Sequence, residues 1–231
     1  MAEGSYKQFC PVAMAAEILC ARWTIILLRE FISGSKRFNE LRKGVPRMSP
    51  ALLSQRLKEL EEAGIIARAK SPDGKAGAEY RLTRAGQELE PVVMAMGAWG
   101  QRWIDKDLML EELDAQLLMW DMRRNLNPQP LPDRRCVIQF RYPDAPKTMK
   151  VWWLVVEPGA GVDLCSVDPG HDVDLYVAAD LRAMTSVWMG YEPIRKAIGE
   201  GKIILTGDRK LASSIQSWIG LSSLAKVKQA A

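Results

Sequence analysis

The side chains best suited to contact another molecule lie within residues 49–63, at helical spacing. Ser54, Gln55 and Lys58 carry hydrogen-bond donors that suit phosphate oxygens, and an amide or a hydroxyl also pairs with base edges in the DNA major groove. Three glutamates gather at the far end of the stretch, away from these donors. The pattern therefore predicts a segment that contacts double-stranded DNA with its N-terminal half, although an ordinary amphipathic surface helix would share part of it.

A helix must position these side chains, and the sequence marks both of its ends. Ser49 can accept a hydrogen bond from a first-turn amide, and Pro50 occupies a position where a missing N–H costs nothing. Gly64 follows the stretch and can adopt the left-handed conformation that closes a helix. Three leucines at helical spacing define a buried stripe, so the polar residues fall on the opposite face.

The surrounding sequence favours a winged helix-turn-helix. Residues 36–58 carry seven cations and one acid, a local basic density typical of nucleic-acid binding. A short helix beginning near Arg37 and ending near Gly44 precedes the Ser49 helix, and residues 65–70 and 78–82 then predict a hairpin around a turn at 71–75. A plain solvated hairpin is the alternative for the wing. The candidate DNA contacts are Arg37, Asn39, Arg42, Ser49, Ala51, Ser54, Gln55, Arg56, Lys58, Arg68, Lys70 and Lys75.

Two further helical patterns predict a dimer. Residues 11–21 form one amphipathic pattern, and Thr24 is expected to cap a second helix that ends at Gly34. Thr83 is expected to cap a long helix over residues 84–105, whose apolar residues exceed what a winged domain needs to cover. We expect the long helix and the first helix to meet a second copy, since two recognition helices can read half-sites one DNA turn apart.

Separated sequence blocks carry a family resemblance. They are Cys10-Pro11-Val12, Arg22-Trp23-Thr24 with residues 27–30, residues 37–41, residues 49–64, and residues 79–83 with Gly86. Over residues 10–103 the chain resembles the HxlR family of bacterial winged-helix transcription regulators, with Ala21 and Arg22 where the family usually has glycine and lysine. The resemblance implies a homodimer that binds operator DNA.

After about Leu113 the composition changes. Residues 125–133 hold three prolines, which predict a linker or an extended entry. Alternating or continuously apolar segments then predict strands, with residues 150–157 as a central strand, and helices follow. The predicted strands are 135–142, 150–157, 161–167, 173–178 and 202–206, and the predicted helices are 180–189, 192–199 and 210–220. The fold class is α+β, with antiparallel strands first and helices after.

This second half resembles the sterol-carrier-protein type of lipid-binding domain over residues 115–225. The residues that carry the resemblance are 173–177, 180–181, 198–203 and 206–208. It implies an apolar tunnel for a small hydrophobic ligand, whereas an ordinary core would use the same aromatic residues. We therefore expect a winged domain at 1–110 and a ligand-binding domain at 111–231. The pocket candidates are Trp152, Leu154, Leu175, Trp188 and Trp218.

Other chemistry finds little support in the sequence. Cys10 precedes a helix, where a thiol is more reactive, and some HxlR-type regulators use a cysteine at this place as a sensor; a buried structural thiol is the alternative. His171 is the only histidine, and its setting between Asp168 and Asp172 is typical of a solvated turn. We expect no catalytic residues, metal site or cofactor. Scattered cysteines, no signal peptide and no long apolar run indicate a cytoplasmic protein without a membrane segment.

The sequence thus predicts a dimeric transcription regulator that binds operator DNA and responds to a small hydrophobic ligand. One alternative is a lipid-carrying module whose winged half serves for dimerisation. A further alternative is a regulator that senses oxidants or electrophiles through Cys10. The local basic density of residues 36–58 favours the DNA-binding regulator, because a domain that only mediates dimerisation does not require such a surplus of cations.

Overall fold

The polypeptide folds as two units that divide after Gly97, within one helix. The computed structural model describes residues 5–70, 78–159 and 161–230, without the side chain of Lys70. The first unit is a winged helix-turn-helix. Its elements are α1 (Pro11–Leu19), α2 (Thr24–Ile32), α3 (Phe38–Gly44), α4 (Pro50–Glu62), β1 (Ile66–Lys70), β2 (Ala78–Leu82), α5 (Arg84–Gln87) and the first part of α6 (Glu90–Trp103), the helix that continues into the second unit.

The predicted leucine stripe of α4 is confirmed. Leu53, Leu57 and Leu60 are at most 2% exposed and pack into the core of the first unit. That core also contains residues from α2 and α3 and the wing residues Ile66 and Tyr80. Burial of the stripe fixes the rotation of α4, because residues four apart lie one above another on the same helix face.

A buried carboxylate joins α2 to α3. Glu30 is fully buried, and one of its oxygens accepts a hydrogen bond from the Arg29 guanidinium at 2.8 Å while the other accepts from the Ser35 hydroxyl at 3.2 Å. Arg29 also donates to the carbonyl of Gly44 at 2.9 Å. The Glu30 side chain fits beside Gly44 only because glycine has no side chain. A Cβ added to Gly44 would lie 1.9 Å from the carboxyl carbon of Glu30.

One predicted helix length and one predicted helix start in this unit were wrong. The long helix over 84–105 is instead α5 and α6, because Pro91 has no amide proton to bond the carbonyl four residues back, and its ring clashes with that carbonyl. Thr24 is the first residue of α2 and not its cap. The cap position is Trp23, at a left-handed φ of +80°, and the Thr24 amide bonds the carbonyl of Ala21 at 3.0 Å.

The second unit is an α+β arrangement in which helices cover one face of a five-stranded sheet. Two elements that the sequence did not predict, α7 and α8, begin at the capping side chains of Asp105 and Asp114. The elements are α7 (Lys106–Met109), α8 (Ala115–Asn125), β3 (Cys136–Arg141), β4 (Val151–Glu157), β5 (Gly161–Cys165), β6 (Leu175–Ala179), α9 (Leu181–Trp188), α10 (Ile194–Gly199), β7 (Ile203–Gly207), α11 (Arg209–Ser213) and α12 (Ile215–Trp218).

The sheet is mixed, which corrects the expectation of antiparallel strands. The strand order is β5-β4-β3-β6-β7, so the strand predicted to be central, β4, is paired on both sides but lies next to the central strand β3. All neighbours are antiparallel except β3 and β6. The chain leaves β5 at the opposite end of the sheet from the start of β6. Residues 166–174 therefore return along the sheet, and β6 enters parallel to β3.

Side-chain hydrogen bonds to backbone carbonyls divide the last helical region into two short helices. The predicted helix over 210–220 is α11 and α12, because the Ser214 hydroxyl bonds the carbonyl of Lys210 at 2.8 Å and the Trp218 indole N–H bonds the carbonyl of Leu211 at 3.0 Å. The start of α9 also differs from expectation. Asp180 occupies the cap position without a side-chain cap bond, and both carboxylate oxygens of Asp144 accept from the Leu181 amide at 3.0 Å.

No single helix among the described residues combines the length and the apolar character needed to cross a membrane. Helices α1 and α2 meet those criteria only when taken together, and they are bent by 82° at the break between them.

Candidate nucleic-acid interface

Helix α4 has the predicted ends. The Ser49 hydroxyl accepts a hydrogen bond from the Leu52 amide at 3.3 Å, and Pro50 is the first helical residue. Gly64 has a φ of +72° just beyond the last turn. The connection from α3 buries Val45 and Met48, so α3 and α4 are held as a helix-turn-helix pair. Ser49, Pro50 and Ala51 are exposed, so the N-terminal end of α4, with its partly positive dipole, is accessible to an anion.

The face of α4 opposite the leucines is open to solvent. Ala51, Ser54, Gln55 and Lys58 are all exposed. The Gln55 amide donates to Glu59 at 2.9 Å, and the Lys58 ammonium lies 3.5 Å from Glu62, with 76% of the lysine side chain exposed. Such an exposed pair contributes little energy and can be exchanged for a phosphate contact.

Three of the predicted contact cations are bound within the protein. Arg56 pairs with Glu59 and donates from Nε to the Arg22 carbonyl at 3.1 Å, and only 17% of its side chain is exposed. Arg37 pairs with Glu79 at 3.3 Å. These arginines position α4 and the start of α3 against the rest of the domain, a role that the sequence did not indicate.

Arg68, on β1 of the wing, is the third predicted contact cation that is bound within the protein. It donates to the Tyr80 hydroxyl at 3.1 Å, lies over the Tyr80 ring at 5.3 Å, and reaches Glu61 at 3.8 Å. The predicted wing tip, with Lys75, lies outside the described residues, as does the side chain of Lys70.

Helix α3 adds further exposed polar groups. Asn39 and Arg42 are exposed. Glu40, between them, accepts from the Lys36 and Arg37 amides at 2.8 and 3.1 Å, which fixes the start of α3. The Arg37-x-x-Glu40 spacing could have revealed this from sequence, because a glutamate three residues into a helix often bonds back to its start. Among the predicted contact cations whose side chains the structure describes, Arg42 and Lys58 are the two that are exposed and not held by a distant part of the chain.

Known proteins share this domain. A family model described as an HxlR-like helix-turn-helix matches residues 18–108. The HTH-type transcriptional regulator YdeP of Bacillus subtilis strain 168 is 40% identical over 106 residues, which are 46% of this chain and 80% of YdeP. The regulator YvaP of the same strain is 35% identical over 104 residues, which are 45% of this chain and 96% of YvaP. The chain belongs to the HxlR family of helix-turn-helix transcriptional regulators.

Among solved structures, the redox regulator HypR in its reduced form is 34% identical, with a TM-score of 0.38. The similarity covers 45% of this chain and 100% of HypR. The HxlR family model ends at residue 108, so it says nothing about most of the second unit.

In this HxlR chain the five pocket candidates of the second unit lie in one apolar cluster. None is more than 6% exposed, and all five belong to the one buried apolar cluster that the sheet and the helices form. The structure therefore brings them together on the helix-covered face of the sheet. The pocket candidates in this cluster are Trp152, Leu154, Leu175, Trp188 and Trp218.

The four cysteines differ in their surroundings, and none forms a disulfide. Cys10 is partly buried and immediately precedes α1, and Cys20 is exposed. Cys136 is buried, and burial first, then the charge of Asp174, raises the pKa of its thiol to about 11. At neutral pH the Cys136 thiol is therefore protonated, and the protonated thiol is a poor nucleophile.

Among the described residues, no three histidine, cysteine, aspartate or glutamate side chains gather as a metal-binding group. His171 lies near Arg135 on the loop between β5 and β6, where Gly170 turns at a φ of +72°. The turn predicted around His171 is present, and within it the Gly170 amide donates to Asp168 at 2.8 Å.

Proposed function

We propose that this HxlR-family chain is a dimeric transcription regulator that binds operator DNA with α4 in the major groove. The observation that carries the proposal is the division of α4 into a fully buried leucine face and an exposed face of small, polar and basic residues. An α-helix fits the major groove of B-form DNA, where amides and hydroxyls can pair with base edges. The exposed Arg42 adds a phosphate contact from the preceding helix.

Dimerisation is supported by apolar side chains that remain exposed on two helices. On α6, Val92, Met96, Trp99 and Trp103 are 48–62% exposed and repeat every three or four residues along one face. Helix α1 buries none of its residues. Contiguous exposed apolar faces of this kind mark interaction sites in soluble proteins. A two-fold dimer would present its α4 helices to half-sites about 34–36 Å apart.

Selection of binding sites from a random pool of DNA duplexes tests the proposal. The wild-type chain should enrich an inverted repeat. Gln55→Ala should relax the preference at one base pair of each half-site, because each good amide-to-base contact is worth about 1–3 kcal/mol. Gln87→Ala, an exposed glutamine on α5, is the matched control and should leave the preference unchanged. Failure to enrich any sequence with the wild-type chain would rule the proposal out.

The second unit is proposed to modulate DNA binding by taking a small hydrophobic ligand between its sheet and helices. The clustering of the five pocket candidates supports this site. Native mass spectrometry of the purified chain should then reveal a copurified apolar molecule, and its removal should change operator affinity. A bound lipid together with no DNA binding at low salt would favour the alternative, a lipid carrier that uses its winged unit to dimerise.

A thiol sensor at Cys10 remains a further candidate function. Its position directly before α1, partly accessible to solvent, is the observation that favours it. Treatment with diamide should alter operator binding by the wild-type chain and not by Cys10→Ser. Equal reactivity of Cys10 and the buried Cys136 toward a thiol reagent would remove the basis of this function.

A further inference from the structure

The face of the second unit's sheet opposite the helices carries a polar cleft that neither the family nor the proposed apolar pocket explains. Its volume is about 490 Å³, within the range of small-molecule sites. It lies where the start of β3 meets the loop before β6. The lining residues are Arg134, Arg135, Val137, Gly170, His171, Asp172 and Asp174.

Two arginines enter the cleft with unused donors. Arg134 donates from Nη2 to Asp174 at 2.8 Å and from Nη1 to the Arg135 carbonyl at 2.8 Å. Arg135 donates from Nε to Glu157, and its Nη1 lies 3.5 Å from Nδ1 of His171. A guanidinium has five N–H groups, so the bonds made to described residues leave about three donors on each arginine.

His171 supplies a third donor. A guanidinium can only donate, so a hydrogen bond from Arg135 to His171 uses Nδ1 as the acceptor and leaves Nε2 to carry the ring proton. Hydrogen-bond donors from three side chains thus converge on one cleft, while the carboxylates of Asp174 and Glu157 are already bound to the arginines.

The floor of the cleft is rigidly positioned. Asp174 accepts from the Val137 amide at 2.8 Å through its carboxylate, donates its own amide to the Val137 carbonyl at 2.9 Å, and accepts from the Asp208 amide at 2.8 Å through its carbonyl. These bonds fix Asp174 and therefore Arg134. A site whose donors are already oriented loses little conformational entropy when a ligand binds.

We propose that this cleft is a binding site for a small oxyanion, a carboxylate or a phosphate monoester, held by Arg134, Arg135 and His171. Arginine forks match the planar or tetrahedral oxygens of such groups and bind them through two parallel hydrogen bonds. Asp172 lines the same cleft as an exposed carboxylate with no hydrogen-bond or ion-pair partner among the described residues. Its negative charge repels an anion, so it disfavours ligands of high negative charge. This site is separate from operator binding and from the apolar pocket.

The single histidine of the chain provides a direct readout. In the full-length protein, the ring resonances of His171 should shift in a saturable manner when inorganic phosphate or citrate is added at constant ionic strength. Saturation by phosphate alone would indicate a phosphate ester as the ligand, and saturation by citrate alone would indicate a carboxylate. Either result supports the site.

Matched variants separate the site from general charge effects. Arg135→Gln should weaken binding of the responding anion at least tenfold, whereas Arg195→Gln, an exposed arginine on α10, should leave its affinity unchanged. Because Arg135 also pairs with Glu157, a thermal melt must show that the variant is folded. Asp172→Asn, which breaks no bond with the described residues, should tighten binding several-fold by removing a repulsive charge. A shift that stays linear with both anions, or an equal response in Arg135→Gln and Arg195→Gln, would overturn the proposal.

Discussion

At the residue scale, Gly44 is the position of the helix-turn-helix least able to accept a side chain. The Glu30 carboxylate fills the space beside it, so Gly44→Ala must displace a buried charge and its partners. We expect a loss of about 1–3 kcal/mol in the free energy of unfolding, measured in urea, as for other overpacked cores. Gly199→Ala is the control, because no atom lies within 4 Å of its added Cβ. Equal stability of the two variants would contradict the packing described here.

The buried thiol of Cys136 makes a prediction about pH. Its pKa rises from an ordinary 9.0 to about 11 on folding, so the folded state retains a proton that the unfolded state releases. The stabilisation from protonated Cys136 is complete below pH 9 and is lost as the pH rises toward 11. The difference in unfolding free energy between wild type and Cys136→Ala should therefore be constant from about pH 7 to 8.5 and shrink above about pH 9. A difference that stays constant up to about pH 11 would refute this.

Residue spacing predicted which side of α4 is buried, because the leucine repeat alone fixes the helix face. Residue spacing did not predict which of the cations extend into solvent and which are bound within the protein. Arg56 and Lys58 are equally basic in the sequence, yet Arg56 bonds a carbonyl 34 residues away at Arg22, and Lys58 extends into solvent. Partners so distant along the chain depend on tertiary packing, which helical periodicity does not contain.

At the scale of elements, α9 shows that a capping residue need not come from the adjacent sequence. Asp144→Ala should cost about 1 kcal/mol of stability, because its carboxylate accepts the Leu181 amide. Asp180→Ala, at the sequence-adjacent cap position, should cost less, since its side chain makes no cap bond. Thermal melts of the two variants give the comparison, and a larger loss for Asp180→Ala would reverse the assignment.

Most elements were predictable, and the misses share physical causes. The boundaries of α3, α4 and β2 follow from caps, glycines and alternation that are local in sequence. The division of the long helix was missed, because the lack of an amide proton at Pro91 outweighed a continuous apolar pattern. The division of the last helix was missed, because the Ser214 hydroxyl bonds a backbone carbonyl of the helix. The parallel pairing of β3 with β6 joins strands that are distant along the chain, and alternation carries no strand direction.

At the scale of the whole molecule, the exposed face of α6 leads to a test of assembly. Met96→Glu with Trp99→Glu should place two charges in the proposed seam and shift the chain toward monomer in sedimentation-velocity experiments. Val167→Glu alters a side chain that is 76% exposed outside the proposed seam, and it should leave the dimer intact. A wild-type chain that sediments as a monomer at micromolar concentration would contradict the seam.

The most direct test of DNA recognition by α3 and α4 is the salt dependence of operator affinity. Affinity should fall steeply with salt for the wild-type chain. Arg42→Gln and Lys58→Gln should each lower the slope of log K against log salt by about one for every phosphate that is no longer neutralised, and hence by about two per dimer. Arg195→Gln should retain the wild-type slope. If Arg42→Gln and Lys58→Gln both kept the wild-type slope and affinity, the exposed faces of α3 and α4 would not be the surface that binds DNA.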